Sequence, residues 1–215
     1  MRKSILLAAV ATMTATVPAF AKEGDVLVRA RTIVVAPNES SGAVGGIAGS
    51  KLGVGDSVMP EIDFTYMATN HIGAELILAT TKHTVSGRGT ISGLGDVADT
   101  RVLPPTLTLQ YHFAPDGRIR PYLGAGINYS TFYSSKARAS LNGALGATKV
   151  KLDDSFGYAL QAGVDIPVGK RVFVNFDVKY IDMKTTARLT SGATLRTARV
   201  RIDPIVAGTG IGIRF

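Results

Sequence analysis

The sequence predicts an all-β chain: an eight-stranded antiparallel transmembrane β-barrel with four long extracellular loops and three short periplasmic turns. Three observations carry that expectation. The amino terminus has the form of an export leader, apolar residues recur at every second position through eight segments, and long and short connections alternate. Beyond the leader no segment approaches the roughly eighteen consecutive apolar residues of a spanning helix, so any membrane insertion must use strands.

The chain opens with Arg2-Lys3, then an apolar run from Ile5 to Val10 that continues weakly to Val17, then Pro18 and the small-x-small site Ala19-Phe20-Ala21. This is the order of a secretory signal peptide, and its run is too short to span. Residues 1–21 are therefore expected to be the leader and 22–215 one outer-membrane barrel domain. Arg2 and Lys3 carry two of the eight net positive charges. In an exported protein such a balance points to outer-membrane lipid and lipopolysaccharide rather than nucleic acid. The chain has no cysteine, hence no disulfide framework and no thiolate nucleophile or metal ligand. Seven Tyr and eight Phe, without Trp, suffice for interfacial girdles.

Strands are expected near 25–36, 58–69, 72–84, 103–113, 120–133, 155–167, 171–183 and 201–215. Each is about the length that a tilted strand needs to cross a bilayer. The segments 37–57, 85–102, 134–154 and 184–200 are long. Between them fall tight turns at Asn70-His71, at Pro115-Asp116-Gly117 and at Val168-Gly169-Lys170. Sorting long loops to one end and short turns to the other is the habit of outer-membrane barrels.

The faces agree from strand to strand. In the second strand Val58, Pro60, Ile62, Phe64 and Tyr66 oppose Glu61, Asp63 and Thr65; in the fourth Leu107, Leu109, Tyr111 and Phe113 oppose Thr108, Gln110 and His112. In the fifth Leu123, Ala125, Ile127 and Tyr129 oppose Tyr122, Gly124, Gly126 and Asn128. The sixth sets Phe156, Tyr158, Leu160, Ala162 and Val164 against Gln161 and Asp165, and the seventh sets Val172, Val174, Phe176, Val178 and Tyr180 against Asn175, Asp177 and Lys179. The closing strand turns Ile205, Ala207, Thr209, Ile211, Ile213 and Phe215 one way and Gly208, Gly210, Gly212 and Arg214 the other. A lipocalin-like soluble barrel would reverse inside and outside, and parity alone permits it. The sorted loops and the terminal aromatic Phe215 favour the membrane barrel.

Several stretches resemble the OmpW family of outer-membrane proteins. They are Pro60-Glu61-Ile62-Asp63-Phe64-Thr65-Tyr66-Met67-Ala68-Thr69, Ile72-Gly73-Ala74-Glu75-Leu76, Leu103-Pro104-Pro105-Thr106-Leu107 with Gln110-Tyr111, and Arg120-Pro121-Tyr122 through Tyr129. Tyr180-Ile181-Asp182, Ile202-Asp203-Pro204 and the closing Arg214-Phe215 complete the series in family order. The resemblance implies an eight-stranded barrel that lets small apolar molecules cross the bacterial outer membrane. Lack of Trp is a departure from the pattern.

Eight strands enclose a lumen that side chains can fill, so a wide aqueous pore is excluded. Arg29, Arg31, Glu61, Asp63, Glu75, Asp177, Lys179 and Asp203 are expected inside as a charge network; direct ligand binding is the other reading of the same residues. Ile77 and Ala79 share that inner face above Glu75, so the interior turns apolar toward the extracellular end. The resemblance makes Ile77 a pocket floor, although Lys179 stands where an aromatic would suit a floor better. Val44 and Ile47, in the small apolar stretch 42–49, supply either a pocket wall or part of a flexible linker.

A solute could then enter between the loops, pause above Ile77 and leave sideways into the bilayer. The alternative function is a structural or receptor barrel whose loops bind surface ligands or stabilise the envelope. Lys51, Lys82, Arg88, Arg101, Lys136, Arg138, Lys149, Lys151, Lys184, Arg188, Arg196 and Arg199 lie in or beside the long loops, as lipopolysaccharide contacts or as ordinary solvated charge. Phe215 is expected to address the barrel-assembly machinery.

Signals for catalysis are poor. His83 with Ser86 is the one pair near the outer rim, and three separated histidines offer no metal cluster. Gly124-Ala125-Gly126 and Gly208 through Gly212 are not followed by helices, so they are strand glycines rather than phosphate loops. No enzyme activity and no cofactor are expected.

Overall fold

A computed structural model describes residues 22–215; the expected leader, 1–21, lies outside the described residues. In chain order the strands begin with β1 (Val26–Ala36), β2 (Ser40–Ser41), β3 (Ser50–Val54), β4 (Ser57–Met67) and β5 (Ile72–Ala79). Next come β6 (Thr81–Gly89), β7 (Asp96–Leu103), β8 (Thr106–His112), β9 (Arg120–Ala137) and β10 (Thr148–Leu152). The last five are β11 (Ser155–Pro167), β12 (Val172–Ile181), β13 (Lys184–Ser191), β14 (Thr194–Arg201) and β15 (Ile205–Arg214), and a helix α1 (Ala139–Leu145) links β9 to β10.

Eight of these strands are staves of a closed antiparallel barrel, in the order β11-β12-β15-β1-β4-β5-β8-β9, with β9 pairing back to β11. First and last staves meet over a full ladder from Leu27↔Arg214 to Ala36↔Ile205. Closure removes the edges that lipid could not satisfy. The alternation predicted from sequence is present: Leu109 is 65% exposed, while Thr108 and Gln110 beside it are at most 1% exposed. Polar and charged side chains point in and apolar ones point out, which overturns the soluble-barrel alternative.

The four long segments are not open loops. Above the barrel β3, β6 and β7 extend the upper half of β9, and β10, β13, β14 and β2 form a separate four-stranded sheet. Prolines and corners set this second storey apart from the staves. The expected third strand breaks at Thr80 and the expected fourth at Pro104-Pro105, where the backbone lacks donors to continue a ladder. The eighth strand starts at Ile205 rather than 201, because Asp203, at φ 37°, turns the corner from β14 to β15.

Two glycines let staves approach more closely than any side chain would allow. A β-carbon on Gly126 would collide with the Leu107 carbonyl, and one on Gly210 with the Ala30 carbonyl. Gly126→Val should therefore destabilise the barrel by more than the roughly 1–3 kcal/mol of ordinary overpacking, read as the urea unfolding midpoint in lipid vesicles. Gly143→Ala, at an open position of α1, should leave the midpoint unchanged or slightly raised.

Candidate functional site

Inside the lower half of the barrel an ionic layer fills the lumen from wall to wall. Arg29 on β1 donates through Nη1 to Asp63 Oδ1 at 2.8 Å and to Thr65 Oγ1 at 2.7 Å. Its Nη2 reaches across to Asp165 Oδ2 at 2.9 Å. Tyr122 and Phe173 each place a ring centroid 5.5 Å from this guanidinium. Two residues along, Arg31 pairs through Nε with Glu61 Oε1 and through Nη2 with Asp63 Oδ2, both at 2.8 Å. Lys179 Nζ holds Asp177 Oδ1 at 2.7 Å and Glu61 Oε1 at 3.0 Å.

Carboxylates outnumber cations in this layer, and neutral donors serve their remaining oxygens. Tyr122 donates to Asp177 Oδ2 at 2.9 Å, Gln161 to the same atom at 2.8 Å, Asn175 to Asp165 Oδ1 at 2.7 Å and Thr108 to Glu75 Oε2 at 3.0 Å. Buried charge survives only with such pairing, and removing one partner is costly. The structure thus brings together Arg29, Arg31, Glu61, Asp63, Glu75, Asp177 and Lys179.

Asp203 is a correction. It sits at the β14–β15 corner, accepting from the Met183 N–H at 3.0 Å and pairing with Arg201 Nε at 3.0 Å, away from this layer. Asp165 and Asn175 take part instead. Their inward parity was readable in the sequence, but their partners across the lumen were not.

Above the layer lies an apolar cavity of about 420 Å³. Glu61, Lys179 and Ile77 form its floor, where the Lys179 ammonium is bound to the layer by its two carboxylates. Ala79, Val44 and Ile47 line the walls, and Leu141 and Leu145 of α1 contribute at the top. Stretch 42–49 is built into the wall: Val44 is buried, and its N–H donates to Ser50 Oγ at 2.9 Å. Arg138, which precedes α1, clasps Asp96 and Asp99 at 2.9 Å each.

His83 also lines the cavity, with Nδ1 2.8 Å from the Gly55 carbonyl and Nε2 3.0 Å from Thr81 Oγ1. Burial pushes its pKa down, so the imidazole is neutral at pH 7 and suits an apolar wall. Both ring nitrogens are engaged away from Ser86, so the pair does not form a nucleophile and base. Among the described residues no group of three or more His, Asp or Glu side chains could hold a metal ion.

One seam of the wall is incomplete. The β5–β8 ladder runs from Ile72↔Tyr111 to Ile77↔Thr106, and pairing resumes between β6 and β7 at Thr81↔Val102. Leu78 to Thr80 and Leu103 to Pro105 face one another without ladder pairs. Ala79, Pro104 and Thr106 border both this gap and the cavity. A hydrogen bond between Thr80 Oγ1 and the Tyr133 hydroxyl straps the upper edge.

A sequence model described as the OmpW family matches residues 22–215. The chain belongs to the OmpW family. It is similar to outer membrane protein W of Escherichia coli, 38% identical over 218 residues and 100% of both chains. An outer-membrane protein of Sinorhizobium fredii, y4mB, is 40% identical over 178 residues, which are 82% of this chain and 74% of that protein. The crystal structure of the outer membrane protein OprG from Pseudomonas aeruginosa aligns with a TM-score of 0.84 at 31% identity, over 90% of this chain and 97% of that one.

This OmpW-family barrel is an outer-membrane protein, and the apolar outward faces of its staves lie against lipid. Within it the ionic layer makes a direct stability prediction. Arg29→Met leaves Asp63 and Asp165 without their shared cation and should lower the unfolding free energy by about 3–5 kcal/mol in vesicle-based urea titrations. Lys184→Met, at an exposed ion pair, should cost no more than about 1 kcal/mol.

Proposed function

We propose that the chain helps small apolar molecules across the outer membrane, receiving them in the cavity above Ile77 and releasing them sideways through the wall. One observation carries this reading: an apolar chamber stands on a sealed ionic floor and borders the unpaired seam between Leu78–Thr80 and Leu103–Pro105. Its volume falls within the range of small-molecule pockets. Straight passage down the axis would drag an apolar solute through buried, fully paired charge, whereas the seam leads from apolar cavity to apolar lipid. A purely structural barrel would need neither chamber nor seam.

Residues 1–21 serve in this reading as the export leader, and Phe215, 68% exposed at the end of the last stave, addresses the assembly machinery. The basic residues of the extracellular sheets meet lipopolysaccharide, a reading supported by their exposure just above the lipid-facing wall.

The test is uptake into vesicles of an apolar and a polar solute of similar size. The apolar solute should enter faster with protein than without, and the polar one should not. Ile77→Arg should cut apolar uptake about tenfold or more, because it drives a further cation from the ionic floor into the apolar chamber. Urea unfolding should show that this variant is still a barrel. Unchanged uptake by Ile77→Arg would remove Ile77 from the path, and equal uptake with and without protein would leave a structural role.

A further inference from the structure

Four cross-strand pairs in the extracellular sheets set cation directly against cation. Lys51 stands opposite Arg88 in β3–β6 and Lys82 opposite Arg101 in β6–β7. Lys151 stands opposite Arg188 in β10–β13 and Lys184 opposite Arg201 in β13–β14. All eight are exposed. Their strand neighbours Leu52, Thr81, Val102, Leu152, Ala187 and Val200 line the cavity, so the cations face away from it, outward.

Directly opposed side chains have β-carbons about 4.5–5.5 Å apart, and like charges at that spacing weaken a sheet. Three of the eight cations are offset internally: Arg188 by Asp153 at 2.8 Å, Lys184 by Asp182 at 2.8 Å and Arg201 by Asp203 at 3.0 Å. Among the described residues no carboxylate lies within ion-pair distance of Lys82 or Arg101. Lys51 and Arg88 likewise lack one, while Lys82 keeps only a longer-range attraction to Asp99, diagonal to it on β7. Two cations side by side, neither held by a direct ion pair, are the geometry that grips a phosphate.

Its height fixes the source of the phosphate. Lys82 follows Thr81, the residue at which pairing resumes above the seam. Arg101 lies two residues from the outward-facing Leu103, about 7 Å along the strand, and pairs on its other side with the exposed aromatic Tyr133. Lipid-facing apolar wall, interfacial tyrosine and paired cations therefore follow one another upward on one face. Acyl chains, their boundary and phosphates follow in that order in the outer leaflet.

We infer that Lys82 and Arg101 clamp a phosphate of an outer-leaflet lipid A at the upper lip of the seam. This rests on the lipopolysaccharide contact proposed above and is independent of transport.

The test uses the folded full barrel in neutral detergent, without solute, incubated with lipid A. Parallel samples receive dephosphorylated lipid A or phosphatidylglycerol, and bound lipid is counted after repurification. Lys82→Glu turns the like-charged pair into an opposite pair. It should hold or raise the unfolding midpoint in detergent while cutting lipid A retention about tenfold. Arg101→Gln should cut retention in the same direction, and Lys51→Glu, the same charge change higher on the sheet, should leave most of it.

Wild-type protein should retain neither dephosphorylated lipid A nor phosphatidylglycerol to a comparable degree. Equal lipid A retention by wild type and both Lys82→Glu and Arg101→Gln would overturn the clamp. Equal retention of dephosphorylated lipid A would overturn the phosphate, and equal retention of phosphatidylglycerol would overturn lipid A as its source. Because no solute is present, failure of the uptake experiment would not alter these results.

Discussion

An eight-stranded barrel leaves a lumen only as wide as the side chains that fill it, and here the Arg29–Arg31 layer fills it with paired charge. Much else in the protein follows from that seal. With the axis closed to apolar solutes, the apolar space above the layer has a floor, and anything it accepts needs another way out. The seal is also the costliest part of the fold to disturb, since each guanidinium answers carboxylates from more than one stave.

The second storey makes the chamber. Staves β1, β5, β9 and β12 run up toward the membrane surface, and from them the chain continues into two sheets whose inner faces supply walls. Where staves hand over to these sheets, the backbone breaks: at Thr80, at Pro104-Pro105 and at Asp203-Pro204. The first two breaks lie side by side and open the seam, since proline can neither donate to a ladder nor bend back into it. Carbonyls left by the break are served locally, with Thr106 Oγ1 donating to the Pro104 carbonyl at 3.0 Å. The third break places Asp203 against Met183 and Arg201 and so firms the corner rather than the plug.

Much of this was legible in the residues. Period-two patterning gave the eight staves, their order and their faces, because lipid on one side and a polar lumen on the other leave no other register. Ile77, Ala79, Val44 and Ile47 came from parity and composition, and all four line the cavity. Partners across the barrel were not legible: parity says that Asp165 points inward but not that Arg29 reaches it. The upper sheets were hidden for a different reason. Segments such as Leu195-Arg196-Thr197-Ala198-Arg199-Val200-Arg201 alternate too, yet their polar face is strongly charged and faces water and headgroups, so they resemble loops more than membrane strands.

The chain has no cysteine, which permits a direct test of release through the seam. Thr80 and Leu103 would be the next pair beyond Thr81↔Val102, so Thr80→Cys with Leu103→Cys places two thiols across its upper edge. Uptake of a small apolar solute by vesicles holding this variant should stop on oxidation to the disulfide and return on reduction. Uptake that ignores the disulfide, in protein shown to be fully cross-linked, would contradict release through the wall.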